Sequence, residues 1–235
     1  MYYPYYYGFY DPLYLGIAVI SLIIMISAQI LVKSRYSKYS KISNNRGLTG
    51  ADAARQVLEY NGVYGVGIER VSGQLTDHYD PKTNVIRLSD GVFDSTSIAA
   101  VGIAAHEAGH AVQYAKNYFP IKVRTAIIPF ARFGPAFGII MMLIGAAVNM
   151  LNLIVIGLIL FGATFAFQFI TLPVEFNASR RALSAINEKY LLDEEGYKGA
   201  KKVLTAAALT YVAAMIQSFL TLLYYATRFL GNRRR

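Results

Sequence analysis

His106, Glu107, Ala108, Gly109 and His110 place two imidazoles and a carboxylate within five consecutive positions. Side chains four apart on an α-helix project from nearly one side, so His106 and His110 can grip a single metal ion. Glu107 then lies beside the pair, where it can reach a water on that ion but is badly placed to ligate it. This HExxH spacing suits metal-assisted hydrolysis, with zinc as the usual ion. The chain has three histidines, and two of them fall in this pentapeptide. The plain alternative is a helix whose two polar residues are satisfied by hydrogen bonds in a core.

A catalytic zinc holds three protein ligands and keeps a fourth position open. Glu175, in the stretch Leu172-Pro173-Val174-Glu175-Phe176-Asn177-Ala178-Ser179-Arg180-Arg181, is the best candidate for the third. The pentapeptide lies just before a long apolar run and Glu175 just after it, so two membrane crossings would return the chain to the face it left. Pro173 is expected to start a new helix there. A solvated glutamate at that helix start is the competing role for Glu175. His78 is the rival ligand: it could complete a three-histidine site, orient substrate, stabilise an oxyanion, or simply bind a carboxylate in a turn. With a metal on His106, His110 and Glu175, Glu107 would take a proton from water and pass it to the leaving amine. A second oxyanion donor would come from His78, Tyr79 or an arginine near position 180, Arg181 among them. Val85–Ser89 is expected to be an exposed edge strand on which an extended peptide could pair.

These side chains must be positioned by elements that composition limits. Of 235 residues, 55% are hydrophobic and 16% charged, against about 25% charged in ordinary soluble domains. No Asp, Glu, Lys or Arg occurs in 13–32, 133–174 or 203–226, and about 20 such residues suffice for a helix to cross a bilayer. The middle run is about twice the length one crossing needs, and Asn149 and Asn152 near its centre mark a polar turn. The expected spans are therefore 13–32, 130–148, 152–172 and 203–226, with Arg132 snorkelling to the interface.

The resulting organisation is a Tyr-rich start and first span (1–32), an α+β region with the HExxH helix (33–126), a transmembrane hairpin (127–172), a helix with the third ligand (173–202), and a fourth span with a basic tail (203–235). The leader MYYPYYYGFY reads as an aromatic belt at the membrane interface. It lacks a positive start and a cleavage site, so the first span is expected to stay as an anchor. There are no cysteines, which excludes disulfides and thiolate ligands.

Of 23 Lys and Arg, 13 lie between Lys33 and Arg132 and six between Arg180 and Lys202. Those next to the spans mark the cytoplasmic side and put both termini outside. The arginines at the carboxy terminus argue against this for the fourth run, which could instead dip and return. The net charge of +9 is accounted for by this topology and by anionic lipid, with no need for nucleic acid.

Within 33–126, Thr49-Gly50-Ala51-Asp52 is a capping signal for a helix that Asn61-Gly62 stops. Val63–Val71 and Val85–Leu88 flank a Pro-containing turn and suggest a small hairpin or sheet. Asp94–Ser97 caps the next helix, Ile98 to about Tyr118, which Pro120 closes. Small residues crowd the motif, among them Gly102, Ala105, Ala108 and Gly109, and would admit a close neighbour. The block is too small for a large core of its own and is expected to pack against the long helices.

At Gly73–Pro81, Ala105–Tyr114 and Leu172–Arg181 the chain resembles the neutral zinc metallopeptidases of bacterial and archaeal membranes, the YugP-like family. More distantly it is similar to membrane gluzincins such as the heat-shock membrane protease and the CaaX prenyl protease. That resemblance implies one zinc ion on His106, His110 and Glu175, with Glu107 as base and a zincin-like α+β catalytic region among about four transmembrane helices. One position departs from the gluzincin pattern: an Asp four residues after the ligand, which orients a zinc histidine, is here Ser179, with Asn177 nearby. Asp77 or Asp80 could rebuild that support.

The expected function is a zinc endopeptidase of a prokaryotic cell membrane. Its site would face the cytoplasm and act on peptides, unfolded chains or membrane-protein segments. A catalytically silent membrane scaffold that keeps the zinc site is the alternative. A transporter would need ionisable residues inside the spans and ranks below both.

Overall fold

The computed structural model describes residues 11–230; the tyrosine-rich leader and Arg233, Arg234 and Arg235 lie outside the described residues. In chain order the elements are α1 (Pro12–Tyr39), α2 (Gly50–Tyr60), β1 (Gly67–Val71), β2 (His78–Asp80), β3 (Val85–Ser89), α3 (Asp90–Phe93), α4 (Ile98–Ala115), α5 (Phe119–Ala147), α6 (Leu151–Glu188) and α7 (Glu194–Leu230). The protein is mainly helical, and α1, α5, α6 and α7 are each long and apolar enough to cross a membrane. All four run past the charge-free stretches. The 38 residues of α6 extend about 57 Å, nearly twice a hydrocarbon core of about 30 Å. α7 is one unbroken helix, so a fourth run that dips and returns is ruled out by its continuous backbone.

The chain falls into two compact units. The first comprises residues 11–28, 124–170 and 211–230. Its small core is Met142, Ile154, Leu158 and Phe161, while Val19, Ile20, Leu22 and Ile23 of α1 and Phe130, Phe137 and Ile159 of α5 and α6 are exposed. An apolar surface of this extent is tolerable in lipid rather than water. Gly138 and Gly157 let α5 and α6 touch: a Cβ on either would lie 2.6 Å from the other's carbonyl oxygen. Asn149 takes the left-handed conformation at φ 58°. It ends α5 with the Met150 N–H donating to the Gly145 carbonyl at 2.8 Å. That is the helix-ending geometry in which Asn substitutes for Gly, and it makes the turn expected there.

The second unit comprises Gln29–Val123 and Thr171–Thr210. α2 is capped as expected: Thr49 Oγ1 accepts from the Asp52 N–H while the Asp52 carboxylate accepts from the Thr49 N–H. Gly62 at φ 66° ends it. The block from α2 to α4 does not close its own core. Ala182, Ala185 and Ile186 of α6 and Ala200, Val203 and Leu204 of α7 complete it.

The sheet has the order β1-β3-β2, with β1 parallel to β3 and β2 antiparallel to it. Val63–Val71 and Val85–Leu88 do contribute to one small sheet, as expected, but as the parallel neighbours β1 and β3; the hairpin joins β2 to β3 through Asp80–Asn84, and the expectation for the edge of β3 is corrected. β2, only three residues long and mostly polar, lacks the apolar alternation that reveals a strand. β3 is consequently central and both its edges are taken, so Val85–Ser89 offers no edge to a peptide.

Two prolines also act differently from expectation. α4 is ended by Asn117 at φ 54°, with the Tyr118 N–H donating to the Gln113 carbonyl at 2.9 Å. Pro120 sits in the first turn of α5, where a missing N–H costs nothing. Pro173 lies inside α6 rather than at a helix start.

The small residues of α4 do admit close neighbours. A Cβ on Gly109 would meet the Ala178 carbonyl oxygen of α6 at 2.6 Å, and one on Gly102 would meet Ala200 Cβ of α7 at 3.3 Å. Backbone cannot yield as a flexible side chain does. Gly109→Ala is therefore expected to destabilise the protein by about 1–3 kcal/mol, the usual cost of overpacking. A thermal melt of the purified protein checks this, and an unchanged midpoint would contradict the close approach.

Candidate active site

α4 carries His106 and His110 on the face turned toward α6, which carries Glu175. Gly109 between the histidines allows the two backbones to approach, so the three side chains meet. Glu175 Oε2 stands 3.2 Å from His106 Nε2 and 3.6 Å from His110 Nε2. Glu175 is 2% exposed, which removes the reading of a solvated glutamate at a helix start.

A buried carboxylate facing two imidazoles requires positive charge among them, as protons or as a metal ion. His110 registers that demand. Burial works against its charged form, yet the hydrogen bond to Glu175 and the charges of Glu107 and Glu175 prevail and raise its pKa. The donor atoms of His106, His110 and Glu175 all lie within 4.8 Å of one another. Tetrahedral zinc with N and O ligands at about 2.0–2.2 Å would set those atoms about 3.4 Å apart. The 3.2 and 3.6 Å separations bracket that value. Two nitrogens and one oxygen suit zinc, and the residues fit the ion.

The far nitrogens of both rings are also held. His106 Nδ1 lies 3.1 Å from Ser179 Oγ, and His110 Nδ1 lies 3.0 Å from Gln113 Oε1. The polarity of the second contact follows from a chain of donors. Arg181 can only donate, and its Nε gives a hydrogen bond to Asn177 Oδ1 at 2.8 Å. Gln113 Nε2 donates to the same oxygen at 3.0 Å and to the Val174 carbonyl at 2.8 Å. Gln113 Oε1 therefore faces His110 and accepts from Nδ1–H. With Nδ1 committed to Gln113, Nε2 is the nitrogen that faces Glu175: without a metal it meets the carboxylate through a proton, and with one it would offer its lone pair to the ion.

Glu107 approaches from the other side. Its Oε2 accepts the Tyr79 backbone N–H of β2 at 3.1 Å, so the strand that sequence reading missed is the one that orients this carboxylate. The Tyr79 ring packs on Tyr114, centroids 5.5 Å apart, and its hydroxyl donates to Asn84 Oδ1 at 2.8 Å.

The remaining expected residues divide. Ser179, Asn177 and Arg181 join the network behind the histidines. His78 does not join the triad: it is exposed and its Nδ1 donates to the Thr76 carbonyl at 2.8 Å. Asp77 is bound by the Ser89 N–H and hydroxyl. Asp80 is held down at about 2, first by the Lys82 N–H, then by Thr83 and Arg87. Neither carboxylate supports a histidine, so the expected rebuilding through Asp77 or Asp80 is replaced by neutral oxygens of Ser179 and Gln113.

Gln113 was not singled out from sequence, although a signal was present. It is a fully buried polar residue three positions after His110, in a helix otherwise made almost wholly of small and apolar residues. Gln113→Leu keeps the bulk and removes both the acceptor and the donors. Zinc affinity, measured by competition with a chelator, is expected to fall about 10–100-fold, as for other outer partners of metal-bound histidines. Unchanged affinity would remove Gln113 from the site.

Two histidines one helical turn apart and a buried glutamate from a second helix could hold a metal ion, and a flanking carboxylate beside them is the arrangement that metal-assisted hydrolysis uses. The chain belongs to the family described as "Putative neutral zinc metallopeptidase", whose family model matches residues 14–230. It is 44% identical over 221 residues to "Putative membrane protease YugP" of Bacillus subtilis (strain 168), covering 94% of this chain and 98% of that relative. No solved structure matches it. The protein is thus a membrane metallopeptidase of the zinc class, and His106, His110 and Glu175 could hold its metal.

Proposed function

We propose that this chain is a zinc endopeptidase of the gluzincin type, with His106, His110 and Glu175 as ligands and Glu107 as general base. The observation that carries this is the meeting of two Nε2 atoms and a buried carboxylate at zinc-like spacing, with a second carboxylate alongside. Zinc bound there would lower the pKa of water toward about 7 and polarise a carbonyl group.

The other steps belong to the chain itself. Glu107, oriented by the Tyr79 N–H, accepts a proton from the attacking water and delivers it to the departing amine. Gln113 and Ser179 hold the rings so that their Nε2 lone pairs stay directed inward. A peptide in extended form would pair with β2, the strand whose outward N–H already reaches Glu107. The nearness of the charge-free stretches to both the motif and Glu175 in sequence favours substrates that are membrane-protein segments or unfolded chains.

Chelator-sensitive cleavage of an unfolded protein by the purified chain, with about one zinc per chain, tests the reading. Bound zinc without cleavage of any peptide would give way to the silent scaffold.

The basic residues beside the charge-free stretches favour a cytoplasmic site in the cell membrane of a prokaryote. A reporter fused in the turn at Asn149–Asn152 is expected to read as external. A cytoplasmic readout would reverse the orientation.

A further inference from the structure

A groove of about 340 Å³ in the second unit is lined by α1 and α7 and includes none of His106, His110 and Glu175. Its floor is apolar, made by Leu31, Ala206 and Leu209, and its rim carries Arg35, Lys201 and Lys202. The spacing explains the shape. Lys202, Ala206 and Leu209 follow one face of α7, and Leu31 and Arg35 are one turn apart on α1. Each helix therefore changes from basic to apolar along the groove, in about 10 Å on α7.

The change falls at an informative place. The charge-free run of α1 stops at Lys33 and that of α7 begins after Lys202, so the rim stands where a helix leaves hydrocarbon for headgroups. The rim is also short of counter-charge. Lys198 at its edge is paired with Glu194 and Glu195. Among the described residues, Arg35, Lys201 and Lys202 form no ion pair with any carboxylate.

Three cations without a carboxylate partner above an apolar slot at the interface level suit an occupant with a negative head and a hydrocarbon tail. We infer that this groove binds an anionic phospholipid, its phosphate held by Arg35, Lys201 and Lys202 and an acyl chain lying along Leu31 and Leu209. Basic pockets between membrane helices recognise acidic headgroups by this combination. A soluble phosphate would satisfy the rim and leave the floor uncovered, and a zwitterionic lipid would bring its own cation against three others.

The test reads bound lipid and does not depend on peptidase activity, so it stands or falls apart from the catalytic reading. The full-length protein is purified from nanodiscs made with equal phosphatidylglycerol and phosphatidylcholine, and retained lipid is counted by native mass spectrometry. Wild type is expected to retain phosphatidylglycerol at least tenfold over phosphatidylcholine, given roughly fivefold per cation near the surface.

The triple variant Arg35→Gln, Lys201→Gln, Lys202→Gln is expected to lose that preference. The variant Lys41→Gln, Lys82→Gln, Lys116→Gln, with the same change of charge elsewhere, is expected to keep it. Equal retention of the two lipids by wild type overturns the proposal. So does a triple variant that still prefers phosphatidylglycerol, or a control variant that loses the preference as fully. If the triple variant does not fold, Lys201→Gln alone decides, with a severalfold loss expected and no loss contradicting the site.

Discussion

Glu107→Gln is expected to lower peptide hydrolysis by about 10²–10⁴-fold while leaving zinc content unchanged. That range is what a positioned proton acceptor contributes, or about 2.7–5.5 kcal/mol of barrier. The separation of the two readouts follows from the geometry. Glu107 is held by the Tyr79 N–H at 3.1 Å, and a glutamine side-chain oxygen can accept the same hydrogen bond. The histidines take their support from Ser179 and Gln113, so nothing that orients the ligands is lost. A glutamine cannot take a proton from water near neutral pH. Metal analysis and cleavage of an unfolded protein on the same preparations check the prediction. Full activity in the variant would move the base elsewhere.

Glu175→Ala should weaken zinc binding on the order of 100-fold or more, beyond the roughly 10–100-fold that loss of an outer partner costs. The carboxylate is the one anionic ligand of the proposed set, and it is buried against both imidazoles. Without it two neutral rings remain. The same change also takes away the buried partner of both imidazoles, so the metal-free variant is expected to be less stable than wild type by up to about 3–5 kcal/mol, which its melt without zinc measures.

Wild type is therefore expected to melt higher as zinc is added, by about 4 kcal/mol of stability at a thousandfold excess over Kd. The Glu175→Ala midpoint should move by no more than about a third as much, since a site 100-fold weaker gains only about 1.4 kcal/mol at the same zinc concentration. His78→Ala should bind zinc like wild type, since that ring is turned to the Thr76 carbonyl. Zinc lost with His78→Ala and kept with Glu175→Ala would transfer the ligand role to the histidine.

Much of this was legible from residues alone, for a common physical reason. Helical spacing is local, so the pentapeptide dictates that His106 and His110 share a face before any partner is known. Charge-free runs likewise announce membrane helices, because the cost of burying charge in lipid is paid by the run itself. The Thr49 capping box and the Asn149 turn are local too. Glu175 was accessible by a different route, the expectation that two crossings return the chain to one face, and it does meet the two histidines.

What failed was non-local. The order β1-β3-β2 depends on which strands find one another, and a three-residue polar strand leaves no periodic trace. Pro173 reads as a helix start because its missing N–H is harmless there. A long helix also tolerates it where neighbouring groups absorb the freed carbonyl.

The sequence by itself determined the pair of imidazoles, the carboxylate beside them, the four apolar helices and the family, because each rests on residue type at short spacing. Only the tertiary structure decided that β2 aims Glu107, that His78 stands aside, and that Gln113 and Ser179 replace an aspartate behind the histidines. Those are contacts between segments remote in the chain. They are set by how closely α4 approaches α6 at Gly109 and Ala178, a distance that spacing along one helix does not encode.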